Sequence, residues 1–518
     1  MKQNNNLPLF IGISVALGII IGSFFNVKNT GTFYPVSSNT GNSKLNTVLK
    51  FIESEYVDDV DAEKITDEVI SDLLDRLDPH STYIPKEIQA YTQETMNGSF
   101  VGIGVQFRLE KDTILVEKVI PDGPSLKAGL RAGDRILMAD KDTLYGKEIS
   151  NNDVLSKLKG EENSQVLVKV YRPTTNKIID FNITRGKVDI KSVPVAYKLT
   201  DSLGYIKLVR FAMTSYDEFK SALDKLQEQG IKDLVLDLRG NPGGFMHIAD
   251  QISDEFLADG QLIVYTKNKK GRQKNNVATS KGSFEKGHIY VLVDENSASA
   301  SEIVSGALQD NDRGTIIGRR TFGKGLVQQE LDFNDGSAMR LTIARYYTPT
   351  GRSIQKPYDD TNNYENEVLN RYKSGELYSK DSIKIIDSLK YTTPKGKVVY
   401  GGGGITPDVF IPLDTLNGVN YFELNMINKF VSSYIDTHRK ELNKYNESNF
   451  ISDFKITSEI KKAFDKYIAP YKFSSQELVD DLLKENFAST LINDEVYYKL
   501  VQKRDPYILK VIALEQNQ

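Results

Sequence analysis

Residues 288–310 read HIYVLVDENSASASEIVSGALQD. An unbroken apolar run, IYVLV, ends at acidic and amide residues. Small residues then alternate, and EIVSGALQD follows with helical spacing. Continuous apolar character marks a strand buried on both faces, and strands of this kind alternating with helices build a largely parallel, doubly covered sheet. Small residues between strand and helix permit a tight turn, which presents a hydroxyl at the carboxyl end of the sheet. Backbone N–H groups of the helix start lie beside such a hydroxyl and are suited to stabilising an oxyanion. Ser297 and Ser299 read equally well as helix caps, and this stretch alone does not separate the two readings.

The same alternation extends to either side. GYIKLVRF (204–211) reads as a strand, residues 215–229 as an amphipathic helix, and DLVLDLRG (233–240) as an apolar strand closing in a Gly/Pro turn. Glycines after a strand end, as in LDLRGNPGG (236–244), let backbone N–H groups approach a ligand closely. Downstream, RRTFGKGLVQQ (319–329) contains G-x-x-x-x-G-K, Gly318 to Lys324, the outline of a phosphate-binding loop. The outline fails where chemistry needs it: Gly325 replaces the metal-binding Ser/Thr, and LVQQELDF reads as a strand. The flanking glycines instead let the backbone turn Lys324 inward, and a desolvated lysine loses its proton more readily and serves as a base.

Before this core lies a second compact αβ unit. FVGIGVQF (100–107) and TILVEKV read as strands, followed by PSLKAGLRAGDRILMAD (124–140), a helical NNDVLSKL and the strand QVLVKVYR. The two glycines beside the first strand suit a loop that captures a peptide carboxylate through backbone N–H groups.

Bulk composition narrows the classes. The 518 residues allow three or four domains of about 150 residues. Apolar residues at 39% and charged residues at 26% indicate a folded chain. Net charge is −4, from 66 basic and 70 acidic residues well mixed, so nucleic acid is not the expected partner. The absence of cysteine excludes disulfides, thiolate metal sites and a cysteine nucleophile. Four histidines, at 80, 247, 288 and 438, leave few candidates for histidine chemistry.

Residues 7–25, LPLFIGISVALGIIIGSFF, carry no charge and as a helix span about 28 Å, close to a bilayer's hydrocarbon core. The run exceeds a signal-peptide h-region and lacks a clean small-x-small cleavage site, which favours an uncleaved membrane anchor over a cleaved signal. Both readings export the rest of the chain. A polar linker (26–43) leads to a helical region (44–97). Residues 357–395 are polar and tyrosine-rich and read as an insertion, GGGGITPDVFI (401–411) returns to strand-like sequence, and residues 420–518 are helical and charged.

Taken together, LDPHSTY (77–83), FVGIGVQF, SLKAGLRAGDRIL (125–137), LDLRGNPGG, NSASASE, RGTIIGRRTFGKGLVQ (313–328), TPTGRSIQ (348–355) and GITPDV (404–409) resemble, in order, the carboxyl-terminal processing (tail-specific) peptidases. These are Ser–Lys endopeptidases with a PDZ domain, and the resemblance spans residues 44–411. It implies a multidomain α/β protein: membrane anchor (7–25), N-terminal helical cap (44–97), a small barrel-like αβ PDZ domain (98–185) and an αββ-type peptidase core (186–411, interrupted at 357–395). The helical extension (420–518) lies outside the family's shared core.

Carried over position by position, the nucleophile falls on Ser299, the base on Lys324, and the residue orienting that base on Gln328. The oxyanion hole uses backbone N–H of Ala300 and of Gly243 or Gly244. Gly102, Ile103 and Gly104 take the substrate carboxylate, and Lys159, at the end of the PDZ helix, is a candidate for sensing occupancy. The expected partners are proteins or peptides with free carboxyl-terminal tails, met at the outer, periplasmic side of a bacterial inner membrane. No metal or cofactor is expected, and self-association into a homo-oligomer is compatible with the sequence without being specified by it. A catalytically silent PDZ scaffold is the rival reading, but such a relative is expected to lose Ser299, Lys324 or Gln328. A Ser–His–Asp hydrolase with His247 as base is the third, since His247 follows Gly244 closely.

Overall fold

The computed structural model describes residues 41–517 apart from 111, 147–148, 359–363, 365, 414–419 and 474. The anchor expected at 7–25 lies outside the described residues, and among those described no helix is long and apolar enough to cross a membrane. The chain divides into residues 1–77 and 78–518. The first unit holds helices Gly41–Glu55 and Ala62–Asp75, the second of which is capped by Asp61 accepting from Lys64 N–H.

The second unit is built on a six-stranded sheet. Its strands run in the order Val195–Lys198, Leu203–Lys207, Asp233–Asp237, Ile289–Val293, Gly314–Gly318, Val409–Phe410. The first pair is antiparallel and all the others are parallel. Every residue of Leu203–Lys207 and Ile289–Val293 is buried, as a doubly covered sheet requires. On one face Ile206, Leu236, Val291 and Ile316 pack with Phe219, Ile252 and Val304, from helices Ser215–Glu228, Met246–Asp254 and Ala300–Asp310.

The carboxyl-terminal extension covers the other face. Tyr205, Val235, Tyr290, Leu292 and Ile317 pack with Tyr507, Ile508 and Val511 of helix Pro506–Glu515. Each such buried side chain contributes about 1.5–3 kcal/mol. Arg239 pairs with Asp505 at 2.8 Å, and Arg319 Nη1 donates to the Tyr507 hydroxyl at 2.7 Å. The preceding helices form their own core around Ile427, Phe430, Phe464 and Phe487.

Two further sheets frame the site. Thr82–Ile84, Ala338–Tyr347, Leu262–Asn268 and Gln273–Val277 form an antiparallel sheet, with Leu326–Asp332 also paired to Ala338–Tyr347. The register of that last pair slips between Val327 and Gln328, a bulge that re-aims the side chain there. The expected PDZ region contains strands Val105–Glu110, Thr113–Val119, Arg135–Ala139, Gln165–Arg172 and Lys177–Thr184 in that spatial order, with helices Pro124–Ala128 and Asn151–Leu158. Ser99–Gly102 pairs with Gly186–Asp189, so the chain enters and leaves this region through one antiparallel pair whose exit strand begins just past residue 185. The extension touches this region through Arg135–Asp436 at 3.0 Å and Lys118–Asp494 at 3.1 Å.

Candidate active site

Strand Ile289–Val293 delivers residues 294–301 to the carboxyl end of the sheet, and the three serines there part company. Ser297 is fully buried; its hydroxyl donates to Leu238 O at 2.8 Å and accepts from Asp294 N–H at 3.0 Å. Ser301, also fully buried, donates to Asn241 O at 3.0 Å. Both serve the turn. Ser299 alone is partly exposed, and it holds φ +56° and ψ −112°. A non-glycine residue at such angles costs on the order of 1–3 kcal/mol, and strain of this kind collects at functional positions.

Glu302 secures that strained turn. Its carboxylate is fully buried and accepts four hydrogen bonds: from Ser299 N–H (2.9 Å), Lys324 N–H (2.8 Å), Gly323 N–H (2.7 Å) and the Thr321 hydroxyl (2.6 Å). Burial pushes its pKa up, and the four donors oppose that rise. One side chain thus ties the serine turn to the loop carrying Lys324.

That loop has no unanswered backbone donor between Thr321 and Gly325. Thr321 N–H goes to Ile405 O (3.1 Å), Phe322 N–H to Ser297 O (3.0 Å), and Gly325 N–H to Gln355 Oε1 (2.8 Å), beside the two bonds to Glu302. The buried Tyr346 hydroxyl lies between Lys324 O at 2.5 Å and Ser299 O at 3.1 Å. Lys324 Nζ donates to Gln328 Oε1 at 2.9 Å. Gln328 Nε2 in turn donates to His80 O. Asp78 builds the turn that offers this carbonyl, accepting from His80 N–H (2.9 Å), Ser81 N–H (3.0 Å) and the Ser81 hydroxyl (2.7 Å). The motif LDPHSTY was legible as a family feature, but its role as the support of Gln328 was not.

Burial lowers the Lys324 pKa from its ordinary value to about 8; the nearby Arg340 guanidinium acts in the same direction, and Glu302 and Asp78 oppose it. No hydrogen bond between Lys324 and Ser299 is found among the described residues; Nζ bonds to Gln328 instead.

The glycine loop closes the site. Gly243 has φ +98°, and a Cβ there would stand 2.8 Å from Ser299 Cβ and 2.9 Å from Ala300 N. The Gly243 N–H already donates to Asn241 Oδ1 at 2.9 Å. Of the two glycines named from the sequence, Gly244 is therefore the one whose backbone N–H has no acceptor among the described residues, and the same holds for Ala300. Gly243→Ala should cost about 1–2 kcal/mol for the left-handed backbone alone, and it should push the loop off Ser299. Thermal unfolding together with labelling of Ser299 by a fluorophosphonate checks this; an unchanged Tm and labelling rate would contradict it.

Ser299, Lys324, Gln328, Gly243 and Gly244 line one cleft of about 470 Å³, with Met96, Phe245, Met246, Ile303 and Leu326 as apolar walls. His247 is not among its lining residues; it is exposed, with its ring 5.4 Å from that of Phe245. The histidine near the lysine is His80, whose pKa desolvation and the Lys324 charge lower to about 4.

The tail-binding candidates sit apart from the cleft. Gly102 ends strand Ser99–Gly102, Ile103 is buried, and Gly104 has φ +76°. Lys159, the C-cap of helix Asn151–Leu158, does not stand free: its ammonium pairs with Glu94 and lies 5.2 Å from the Phe100 ring centre. Glu94 belongs to helix Lys86–Asn97, whose Thr92, Gln93, Met96 and Asn97 line the cleft.

Residues 202–361 match peptidase family S41, and residues 101–184 match the PDZ domain. The chain is 30% identical to the carboxy-terminal processing protease CtpB of Bacillus subtilis over 434 residues, 81% of this chain and 88% of that one. It is 33% identical to a probable CtpA-like serine protease of Staphylococcus aureus over 361 residues, 68% of this chain and 71% of that one. Among solved structures, the photosystem II D1 C-terminal processing protease is 27% identical, covering 72% of this chain and 87% of that one at a TM-score of 0.37. Family match and relatives agree with the cleft the fold has assembled: the chain belongs to the carboxy-terminal processing proteases, serine peptidases of family S41 that carry a PDZ domain.

Proposed function

We propose that Ser299 attacks the scissile carbonyl of an exported protein near its carboxyl terminus, with neutral Lys324 as general base. The Ser299 hydroxyl proton passes to Lys324 Nζ as Oγ bonds to the carbonyl carbon. The resulting oxyanion is met by the backbone N–H groups of Ala300 and Gly244. Lys324 returns the proton to the leaving amine, the acyl-enzyme forms, and water repeats the sequence to release the shortened chain. Gln328, held by His80 O, fixes the direction of Nζ. The carrying observation is the buried lysine loop: it brings a lysine with a pKa lowered to about 8 into the cleft that also holds the one partly exposed, strained serine of the SASAS turn.

On this reading the PDZ domain captures the substrate tail. Gly102, Ile103 and Gly104 accept the terminal carboxylate while the tail adds as a strand. Lys159 passes occupancy to Glu94 and so to the helix lining the cleft, and a bound tail brings Lys324, still aimed by Gln328, to Ser299. Amidating the carboxyl terminus of an apolar-tailed peptide should therefore lower its kcat/KM by at least about tenfold, because the charge-assisted hydrogen bonds from backbone N–H groups to the carboxylate are lost. Equal rates for acid and amide would exclude carboxylate capture.

For location, the uncharged run at 7–25 supports a tether that leaves residues 26–518 on the outer side of a bacterial inner membrane. Protease added to spheroplasts should remove the soluble part; protection of the intact chain would exclude this topology.

A further inference from the structure

Residues 357–395 interrupt the path from the SIQ motif to the last strand, and most of them lie beyond the matched peptidase region, 202–361. Part of this segment nevertheless grips the loop that carries Lys324. Helix Glu367–Lys373 holds Arg371, which is 2% exposed. Its Nη1 donates to Arg320 O and Thr321 O, each at 2.9 Å, and its Nη2 to Phe322 O at 3.2 Å. The next three carbonyls are answered from within the core: Gly323 O by Lys356 N–H (3.0 Å), Lys324 O by Tyr346, and Gly325 O by Tyr346 N–H (3.0 Å). Of six consecutive carbonyls, the three that precede Gly323 are therefore served, among the described residues, by Arg371 alone.

Acidic partners fix the guanidinium itself. Arg371 Nε donates to Glu367 at 2.5 Å, while Arg320 pairs with Glu376 at 2.7 Å. The same segment reaches the other support of Lys324. The Tyr364 hydroxyl hydrogen-bonds with His80 Nε2, and His80 O is the acceptor for Gln328. The Tyr364 ring stands edge-on to Phe322 at 6.2 Å, and Lys356 Nζ lies 3.7 Å from the Phe322 ring centre and 4.1 Å from that of Tyr364.

We propose that Arg371 and Tyr364 are positioning residues for Lys324: Arg371 fixes the loop that carries it, and Tyr364 fixes, through His80, the glutamine that aims it. The inference rests on the Ser299–Lys324 reading. A planar fork suits this task because it answers three carbonyls and a carboxylate at once, which an ammonium cannot do. The charged and titratable groups facing Lys324 are Arg340, Glu302, Asp78 and His80; Arg371→Lys touches none of them, and Tyr364→Phe touches only His80, through its Nε2.

The test uses the full chain, an apolar-tailed peptide, and active-site titration with a fluorophosphonate so that kcat refers to reactive serine. Arg371→Lys keeps the charge beside Glu367 and Glu376 but loses the fork. We expect kcat to fall about tenfold with KM within twofold, since sub-ångström misplacement is felt at this level. The rising limb of the pH–rate profile should move to higher pH as water reaches Nζ. Tyr364→Phe keeps the ring and removes only the hydroxyl, and it should lower kcat about threefold with the same direction of pH shift. If Arg371→Lys does not fold, Tyr364→Phe decides alone. A lower Tm with wild-type kcat and an unmoved limb in the variants that fold would reduce the segment to a structural part and overturn the proposal. Lys324→Ala, run in parallel, separates the two levels: activity there defeats the dyad itself, whereas a dead Lys324→Ala beside unshifted Arg371→Lys and Tyr364→Phe defeats only the brace.

Discussion

Replacing Lys324 with alanine should abolish peptide hydrolysis while leaving the fold intact, and Ser299→Ala should do the same. The magnitude follows from the proton. With its pKa lowered to about 8, Lys324 is neutral in roughly one molecule in ten at pH 7, on the order of a hundred times more often than a free lysine. Among the described residues, no other group combines that basicity with a place in the cleft that holds Ser299: His80 is held near 4 with its Nε2 bonded to Tyr364, and His247 lies outside the lining. Groups that act as one unit are not additive, so the double variant should be little worse than either single one. Turnover of a tailed peptide by each variant, beside its thermal unfolding, is the measurement. Substantial activity in Lys324→Ala would exclude lysine as the base.

Glu302→Gln should be the most damaging change at a residue that never touches substrate. The carboxylate offers only acceptors, and four donors converge on it from Ser299, Thr321, Gly323 and Lys324. A glutamine turns one of the two oxygens into an N–H₂ group facing donors. At least one buried N–H loses its acceptor, at about 1–3 kcal/mol, and the turn and the lysine loop are pushed apart. Displacement on the ångström scale at the reacting groups costs on the order of a hundredfold in rate. We therefore expect kcat to drop roughly a hundredfold with KM little changed, and Tm to fall. A Glu302→Gln enzyme with wild-type kcat would show that the staple between the two loops is not needed for alignment.

What the sequence revealed and what it concealed divide along contact distance. Strand, turn and helix at 288–310 were readable because burial and small residues are local signals, and Ile289–Val293 and Ala300–Asp310 follow that reading. The reading of LVQQELDF as a strand rather than a helix also holds, in Leu326–Asp332. Glu302 stood in plain view inside SASASE, yet nothing local says that its partners are Thr321, Gly323 and Lys324. Arg371 reaching residues 320–322, and Tyr507 reaching Arg319, join segments far apart in the chain without periodicity. The carboxyl-terminal helices gave a helical signal but no sign that Pro506–Glu515 would cover a sheet face. His247 was plausible from its nearness to Gly244 in sequence; helix Met246–Asp254 instead leaves it exposed.

The central claim, a lysine base made available by burial, is tested most directly by the pH dependence of kcat/KM for the full chain acting on an apolar-tailed peptide. A buried lysine whose charged form is disfavoured must lose its proton before it can accept one from Ser299. The rate should therefore rise with pH through a single limb near 8 and level off above it, below the range of free lysine. Replacing His247 should leave the limb in place. A limb at lower pH that vanishes in His247→Ala would instead assign the base to histidine and contradict the account.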